Sequence, residues 1–301
     1  MIVDNVIKTL KDKGMYAKKH FGQNFLIDKN VLNKIVSLSN ITKEDTVIEI
    51  GPGMGCLTEF LAINAKKVIC YEIDPDMIAT LKETLLPLYD NIELIGLDFL
   101  KADLSIYQDN VENVKVVANL PYYITTPIIF KLLSETKISQ FTFMVQKEVG
   151  DRLTGKPNTK DYNSLSVAME YKTNSKVAYK VSPNSFYPAP KVDSALLVVE
   201  TKKIDSEPNF DALFLKFVQD IFVQRRKTII NNLNGKYGFD KEKLIKLFEN
   251  NNLNINLRAE SLGVDEILEL YKLIIFSYSS VWINGLLITM SPLKMLYKDG
   301  N

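Results

Sequence analysis

Residues 46–58 read TVIEIGPGMGCLT, and this stretch decides the fold. A short run of strand-forming residues leads into three alternating glycines, Gly51, Gly53 and Gly55, and then into a helical pattern. Glycine accepts positive φ and lets the backbone approach a ligand closely, so this strand, turn and helix suit a ligand-binding α/β sheet. A tight turn without a ligand is the alternative. The dinucleotide fingerprint G-x-G-x-x-G is incomplete, because Thr58 stands where the third glycine is expected.

The chain around this turn alternates short apolar runs with amphipathic segments that are long enough for helices. Such alternation predicts a β-α-β-α order and a mainly parallel sheet, which is a Rossmann-like core. The alternating pattern of SALLVVE, residues 194–200, indicates one more strand. The other predicted strands are TVIEIG (46–51), KVICYEID (67–74), IELIGLDF (92–99), VKVVANL (114–120) and FTFMVQ (141–146).

The sequence changes character near residue 202, where KKIDSEPNFD reads as a linker. From Phe210 onward, apolar residues recur at helical spacing, which predicts a small all-α second domain. The predicted boundaries are 1–203 for the α/β domain, 208–275 for the helical domain and 276–301 for a tail. Residues 273–293 carry no charge, but their Ser, Asn, Gly, Thr and Pro content argues against a membrane span. A helix packed on the second domain, or a poorly ordered appendage, is the favoured interpretation.

The composition excludes several classes of protein. The 301 residues are 46% hydrophobic and 24% charged, which is typical of a globular chain, and the net charge is only +1. Binding of nucleic acid must therefore depend on local basic patches, such as residues 8–20 and the RRK cluster at 225–227. Cys56 and Cys70 form no CxxC motif and stand apart from the single histidine, which excludes a zinc site or a disulfide framework. A cytoplasmic protein is expected, since the N-terminus lacks the apolar core of a signal peptide.

Two acidic residues follow the next two predicted strands. Glu72 lies in CYEIDPD and Asp98 lies in LDFL. Each could simply cap a helix, but the carboxyl ends of parallel strands share one edge of the sheet, so the glycine turn and both acids are expected there together. This arrangement suits a cofactor with a nucleoside, in which the ribose and the base each need an acceptor. S-adenosylmethionine fits better than NAD, because it has no pyrophosphate to be held.

The stretch NLPYYI, residues 119–124, follows the fourth predicted strand at the same edge. The amine of adenine is a poor nucleophile, because its lone pair is delocalised into the ring. It becomes reactive if acceptors draw its hydrogens out of the ring plane while an aromatic ring holds the base. The Asn119 side-chain oxygen and the Leu120 carbonyl can be those acceptors, with Pro121 fixing the turn and Tyr122 offering the stacking face. A turn whose Asn caps the next helix is the alternative.

Seven motifs in order between about Lys18 and Ile274 resemble the KsgA-type small-subunit rRNA adenine N6,N6-dimethyltransferases. They are FGQNFLID, EIGPGMGCLT, YEID, LDFL, NLPYYITTPI, FYPAPKVDSALL and FVQRRKTIINNL. The resemblance implies that the first domain is a class I SAM-dependent methyltransferase and that the helical domain docks RNA or the ribosome. It implies methyl transfer from S-adenosylmethionine to two neighbouring adenosines in a hairpin loop near the 3′ end of 16S rRNA, with a role in small-subunit biogenesis.

The same resemblance gives roles to individual residues. Phe186 would be a second stacking face opposite Tyr122, although its pattern fits a core aromatic beside a rigid proline turn equally well. A monomer is expected, with a small-subunit precursor as its partner, no metal and no membrane. The implied catalytic residues are Asn119, Leu120, Pro121, Tyr122 and Phe186, the cofactor-binding residues are Asn24, Leu26, Gly51, Gly53, Glu72, Asp98 and Asn119, and the candidate RNA contacts are Lys18, Lys19, Arg225, Arg226 and Lys227.

Other functions stay open at this level. Related methyltransferases that act on 23S rRNA and confer macrolide resistance share the cofactor and NLPY-like motifs, but QRRKTIINNL and the length of the helical domain favour the small-subunit group. A non-catalytic RNA-binding assembly factor would have no need to keep the cofactor positions. A dinucleotide oxidoreductase is disfavoured by the missing third glycine and by the lack of His or Lys at the strand ends. The tail beyond about Ile275 does not match the family pattern.

Overall fold

The structure, a computed structural model, describes residues 1–18, 22–107, 109, 113–203 and 208–279. The strands of this part of the chain are β1 Phe25–Leu26, β2 Thr46–Ile50, β3 Lys67–Tyr71, β4 Ile92–Ile95, β5 Val114–Asn119, β6 Gln140–Gln146, β7 Thr173–Val181, β8 Phe186–Tyr187 and β9 Ser194–Thr201. Its α-helices are α1 Val6–Asp12, α2 Lys29–Leu38, α3 Cys56–Asn64, α4 Pro75–Thr84, α5 Thr125–Glu135, α6 Lys147–Leu153, α7 Ser164–Lys172, α8 Pro208–Ile221, α9 Ile229–Leu233, α10 Lys241–Asn250 and α11 Val264–Ser279.

Seven strands form one mixed sheet in the order β4-β3-β2-β5-β6-β9-β7. The first five are parallel, whereas β9 runs antiparallel to both β6 and β7. The predicted Rossmann-like α/β core is therefore confirmed, and every strand predicted from the sequence is present. The strand order reverses between β2 and β5. At such a switch point the loops that leave the neighbouring strands diverge, and a crevice opens at the carboxyl edge of the sheet.

The central strand β2 shows why this sheet forms. Val47, Ile48 and Ile50 are each at most 3% exposed, as expected for a parallel strand covered on both faces. Helix α3, which follows the glycine turn, is buried over most of its length, so its apolar residues cover one face of the sheet. The hydrophobic core of this part of the protein is continuous from α1 through α3 to β9.

Strand β7 was not predicted from the sequence. It reads TNSKVAYKV, a mixture of polar and apolar residues, and its burial along the strand is irregular. The strand lies at the end of the sheet and pairs with β9 through a ladder whose register shifts between Val177 and Tyr179. Edge strands bury little and commonly carry lysines that discourage further pairing, as Lys176 and Lys180 do here. An apolar repeat was therefore not required, and the pattern that identifies the inner strands is missing.

Two compact units divide the chain. The sheet unit comprises Met1–Asp151 and Lys172–Lys202, and the helical unit comprises Arg152–Tyr171 and Lys203–Asn301. Residues 152–171 were predicted to belong to the first domain, but their contacts group them with the helices. Tyr162 explains this grouping, because its ring is fully buried in the helical core and its hydroxyl donates a hydrogen bond of 2.7 Å to the carbonyl of Leu262. The functional division at residue 203 stays a prediction.

The structure describes only the first residues of the predicted tail. Helix α11 extends through Ser279, so the first residues of the 276–301 segment continue a helix, and residues 280–301 lie outside the described residues. Across the residues that are described, we found no helix that combines the length and the apolar character needed to cross a membrane.

Candidate active site

A cavity opens at the carboxyl edge of the sheet, beside the switch point between β2 and β5. It is lined by residues 22–26, by the glycine turn with the start of its following helix, by the NLPY stretch and by the single acids Glu49 and Glu72. Its lining residues are Gly22, Gln23, Asn24, Phe25, Leu26, Glu49, Gly51, Pro52, Gly53, Met54, Cys56, Leu57, Glu72, Asn119, Leu120, Pro121 and Tyr122. The structure therefore brings most of the predicted cofactor and catalytic residues together.

The glycine turn has the backbone that its sequence predicts. Gly51, Gly53 and Gly55 all have positive φ, at 69°, 56° and 84°. A Cβ on Gly53 would lie 3.1 Å from the ring of Phe25, and one on Gly55 would lie 2.8 Å from a methyl of Leu81. The positive φ angles favour glycine at all three positions, and the missing side chains of Gly51 and Gly53 leave room at this wall of the cavity.

Glu72 lies at the end of β3 and is 6% exposed. One carboxylate oxygen, Oε2, accepts a hydrogen bond of 3.0 Å from the backbone N–H of Gly53. The other, Oε1, accepts from the N–H groups of Ile73 at 2.8 Å and Asp74 at 2.9 Å. Burial raises the pKa of Glu72, against the three N–H donors that favour its charged form. Glu72 is thus both a wall of the cavity and the anchor of the glycine turn.

Glu49 is a second acid in the cavity, and it was not predicted from the sequence. It lies within β2, is 1% exposed and lines the cavity. Burial raises its pKa to about 8, and the negative charge of Glu72 adds to the effect, against a hydrogen bond of 3.7 Å from the thiol of Cys70. The signal was available, because a carboxylate inside an otherwise apolar, doubly covered strand is costly unless it has a purpose.

The side chain of Asn119, at the end of β5, is fixed by the N-terminal segment. Its Nδ2 donates a hydrogen bond of 3.1 Å to the backbone carbonyl of Asn24. Since the amide nitrogen is used in this way, Oδ1 stays available as an acceptor at the cavity wall. The neighbouring Leu120 N–H donates to the carbonyl of Met144 in β6 at 3.1 Å, so the backbone here is tied to the sheet.

Tyr122 and Phe186 differ in their surroundings. Tyr122 lines the cavity, and its hydroxyl lies 2.5 Å from the Oγ of Ser194. Phe186 lies in β8, opposite Leu26 of β1 in a two-stranded ribbon, and it is 3% exposed within the hydrophobic core. A base could stack on Phe186 only after its neighbours moved, so the core interpretation fits this conformation better. Its stacking role stays a prediction.

Asp98 is placed at the same edge of the sheet but does not line the cavity. Its Oδ1 accepts a hydrogen bond of 3.0 Å from the N–H of Leu100, which makes it the cap of a short 3-10 helix. Burial, and then the charges of Asp98 and Glu72, raise the pKa of the Tyr123 hydroxyl. The contact of Asp98 with the cofactor base stays a prediction.

The basic residues proposed as RNA contacts are not equivalent. Lys18 pairs with Asp74 at 2.6 Å and with Asp76 at 2.7 Å, and Lys19 lies outside the described residues. In the helical unit, Arg225 donates from Nε to Glu260 at 2.6 Å and from Nη2 to the carbonyl of Thr159 at 2.8 Å. Arg226 and Lys227 are exposed in the turn between α8 and α9. All three residues of the densest basic cluster are exposed, but Arg225 is held by Glu260 and by the carbonyl of Thr159.

Comparison with known proteins decides which family this site belongs to. A family model described as "Ribosomal RNA adenine dimethylase" matches residues 14–275. The chain belongs to the ribosomal RNA adenine dimethylase family. Within this dimethylase family it is 45% identical over 270 residues to a ribosomal RNA small subunit methyltransferase A of Streptococcus thermophilus, which covers 87% of this chain and 93% of the relative. A second relative with this name, from Streptococcus gordonii, is 47% identical over 264 residues, which cover 85% of this chain and 91% of the relative.

Solved structures support the fold of this dimethylase. A dimethyladenosine transferase from Plasmodium falciparum has a TM-score of 0.68 at 26% identity and covers 86% of this chain and 98% of its own. The 23S rRNA methyltransferase ErmE has a TM-score of 0.65 at 26% identity, covering 83% and 99%. The large-subunit alternative thus shares the fold, whereas the higher identity lies with the small-subunit enzymes.

Proposed function

We propose that this dimethylase transfers methyl groups from S-adenosylmethionine to N6 of two adjacent adenosines in a hairpin loop near the 3′ end of 16S rRNA. The observation that carries this proposal is the hydrogen bond from Asn119 Nδ2 to the carbonyl of Asn24. It joins the residue expected to polarise the target amine to the segment expected to hold the cofactor. A displacement of either segment would therefore move the other.

The charge of the cavity supports S-adenosylmethionine over a dinucleotide. Its described lining contains two carboxylates, Glu49 and Glu72, and no lysine or arginine. Burial keeps Glu49 protonated at neutral pH in the ligand-free protein, so Glu72 is the carboxylate that can repel a pyrophosphate and attract the sulfonium and ammonium groups of S-adenosylmethionine. The Glu72 carboxylate can still accept from a ribose hydroxyl, because Oε2 accepts only the N–H of Gly53 and so keeps a second acceptor site. When bound, the cofactor supplies an already activated methyl group.

The protein then has to orient the amine and accept its hydrogens. Asn119 Oδ1 and the Leu120 carbonyl receive no hydrogen bond from the described residues, so both are available to the N6 hydrogens. Pro121 aims that carbonyl, and its own carbonyl is used by the N–H of Ile124 at 3.2 Å and the hydroxyl of Thr125 at 3.1 Å. Acceptors held this way need no rearrangement during the reaction, and such preorganised polar groups supply much of the catalysis in other enzymes.

Access to the target requires that adenine leaves its stack and enters the cavity, where the Tyr122 ring offers a stacking face. Arg226 and Lys227 are exposed in the turn between α8 and α9 and suit contact with RNA phosphates. Because its proposed substrate is the rRNA of a small-subunit precursor, the enzyme would act in the cytoplasm and take part in biogenesis of the small subunit.

The test is methyl transfer to small-subunit particles that lack the modification. We expect labelled methyl groups from S-adenosylmethionine to enter 16S rRNA, and primer extension to stop at two adjacent adenosines, because N6,N6-dimethyladenosine cannot form its Watson–Crick pair. Asn119→Ala should bind RNA normally but lose most of the rate, since its proposed role is to polarise the amine.

Two outcomes would contradict the proposal. Stops in 23S rRNA alone would identify the large-subunit activity. Binding of RNA without cofactor binding in calorimetry, and without any transfer, would identify a non-catalytic assembly factor. A wild-type rate for Asn119→Ala would leave the reaction standing but remove the assigned mechanism.

A further inference from the structure

Tyr122 and Ser194 are hydrogen-bonded across 72 positions of the chain. The two oxygen atoms are 2.5 Å apart, which is a short O–H···O distance. Tyr122 belongs to the cavity wall, whereas Ser194 is fully buried at the start of β9. Ser194 does not itself line the cavity, so any effect on the reaction must pass through Tyr122.

Ser194 is held rigidly by the sheet. β9 lies between two strands, and Ser194 is opposite Gln146 of β6 on one side and Val181 of β7 on the other. The preceding residue, Asp193, accepts a backbone hydrogen bond of 2.9 Å from Lys147 and pairs with Lys180 at 2.7 Å. The backbone of Ser194 is therefore fixed by three strands, and a single side-chain torsion sets the position of its hydroxyl.

The Tyr122 ring has no comparable support from its own segment. The turn from Pro121 to Thr125 is fixed by hydrogen bonds to the Pro121 carbonyl, but these bonds leave the two side-chain torsions of Tyr122 undetermined. A hydrogen bond at the far end of a phenol restricts both torsions at once. Burial raises the pKa of the Tyr122 hydroxyl, so it stays a neutral group that needs a hydrogen-bond partner.

An aromatic ring stacks on a base at the lowest entropic cost when the orientation of the ring is fixed before the base enters. A ring free to rotate would lose that freedom each time a base enters, and the reacting amine would reach the methyl group less often in the correct geometry. We therefore expect a mobile ring to lower kcat, because the base must be aligned with both the acceptors and the cofactor during methyl transfer.

We propose that Ser194 is a positioning residue for the target base: its hydroxyl holds the Tyr122 ring in the orientation on which the flipped adenine stacks. This inference rests on the proposed function, since it assumes that adenine enters the cavity beside Tyr122. The competing explanation is structural, in which Ser194 only satisfies a buried hydroxyl.

The experiment compares Ser194→Ala, Tyr122→Phe and the double variant. Each single change deletes one side of the same hydrogen bond and keeps the aromatic ring. We expect each to lower kcat on small-subunit particles about tenfold, with the affinity for S-adenosylmethionine unchanged within about twofold. The double variant should be no slower than either single variant, because residues that act through one bond are not additive.

A second readout reports the base directly. In an RNA hairpin with 2-aminopurine at the target position, stacking on Tyr122 quenches the fluorescence of the flipped base, and we expect both single variants to quench it less. Ser194→Thr, which keeps a hydroxyl, should restore quenching and rate. Ser39→Ala is the matched control, because its hydroxyl is also buried but bonds to the carbonyl of Ile35 in α2.

The outcomes separate the two explanations. A purely structural role predicts a lower melting temperature with wild-type kcat and quenching, and that result overturns the proposal. Independent, additive losses in the double variant also overturn it. If Ser194→Ala does not fold, Tyr122→Phe carries the same expectation from the cavity side. Failure of the wild-type enzyme to methylate would instead contradict the proposed function.

Discussion

Lys18 and Asp74, 56 positions apart in the chain, form an ion pair in which Nζ lies 2.6 Å from Oδ1. The other Asp74 oxygen accepts a hydrogen bond of 2.7 Å from the amide of Gln23, and the Gln23 oxygen accepts from the backbone N–H of Lys18 at 2.8 Å. Burial acts to raise the pKa of Asp74, but Lys18 and Gln23 hold it below its ordinary value. Asp74 is two residues from Glu72, so this network ties the N-terminal segment to the cavity.

Breaking this network should weaken cofactor binding. Lys18→Ala or Gln23→Ala removes one of the bonds that hold residues 22–26 in the cavity wall, so we expect a loss of about 1–2 kcal/mol in the binding free energy of S-adenosylmethionine, measured by calorimetry. Lys13→Ala is the matched control, since Lys13 pairs with Glu83 farther along α4. Equal affinities for Lys18→Ala and Lys13→Ala would show that the network does not act on the cavity.

Replacement of Glu72 tests the predicted ribose contact. Glu72→Ala should weaken binding of S-adenosylmethionine by about 1.5–3 kcal/mol, because hydrogen bonds to a charged group are lost. The same change frees the N–H groups of Gly53, Ile73 and Asp74, so thermal unfolding must be recorded in parallel. Glu93→Ala, at the exposed position of the otherwise half-buried β4, serves as the control. Unaltered affinity in a folded Glu72 variant would rule out the assignment.

The buried Glu49 should make stability depend on pH. Its pKa of about 8 in the folded protein lies above the value of about 4.3 for an unfolded chain. The folded state therefore retains a proton that the unfolded state releases, and the free energy of unfolding falls as pH rises from about 4.3 to 8. Glu49→Gln removes this dependence. Relative to wild type, we expect it to gain about 3 kcal/mol between pH 4.5 and pH 7.

Denaturant unfolding of the ligand-free protein across this range measures the effect. The contribution of Glu49 is the change in the difference between the two curves with pH, so a constant offset caused by altered packing does not matter. Parallel curves would mean that Glu49 is ionised in the folded protein at neutral pH.

The basic residues in the turn between α8 and α9 should have two different roles, RNA binding and stability. Arg226→Ala combined with Lys227→Ala should lower RNA affinity and reduce the log–log salt slope by about 0.7–0.9 per lost phosphate contact, with cofactor affinity unchanged. Arg225→Ala should instead lower the free energy of unfolding by about 1–2 kcal/mol, because it bonds Glu260 and the carbonyl of Thr159. Filter binding at several salt concentrations and thermal unfolding test both statements. A normal salt slope in the Arg226/Lys227 variant would move the docking surface elsewhere.

Local pattern was sufficient for the sheet and for much of the cavity. The apolar runs predicted β2 to β6, and the position of Glu72 and Asn119 at strand ends predicted that they would meet. These predictions were possible because parallel strands run in one direction, so the residues that follow them lie at the same edge of the sheet. Strand β7 was not predicted, because this edge strand lacks an apolar repeat. Glu49 was not predicted as a cavity residue, because one acid hardly disturbs the apolar repeat of β2.

The sequence by itself determined the fold class, the ligand-binding edge and the residue types offered there. Only the tertiary structure decided what each side chain is used for. Lys18 and Arg225 both read as candidate RNA contacts, yet each is held by an acid far away in the chain. Phe186 is packed in the core, and Ser194 reaches Tyr122 across the sheet. Charge pairing and burial depend on distances between residues that are remote in sequence, and no local periodicity records those distances.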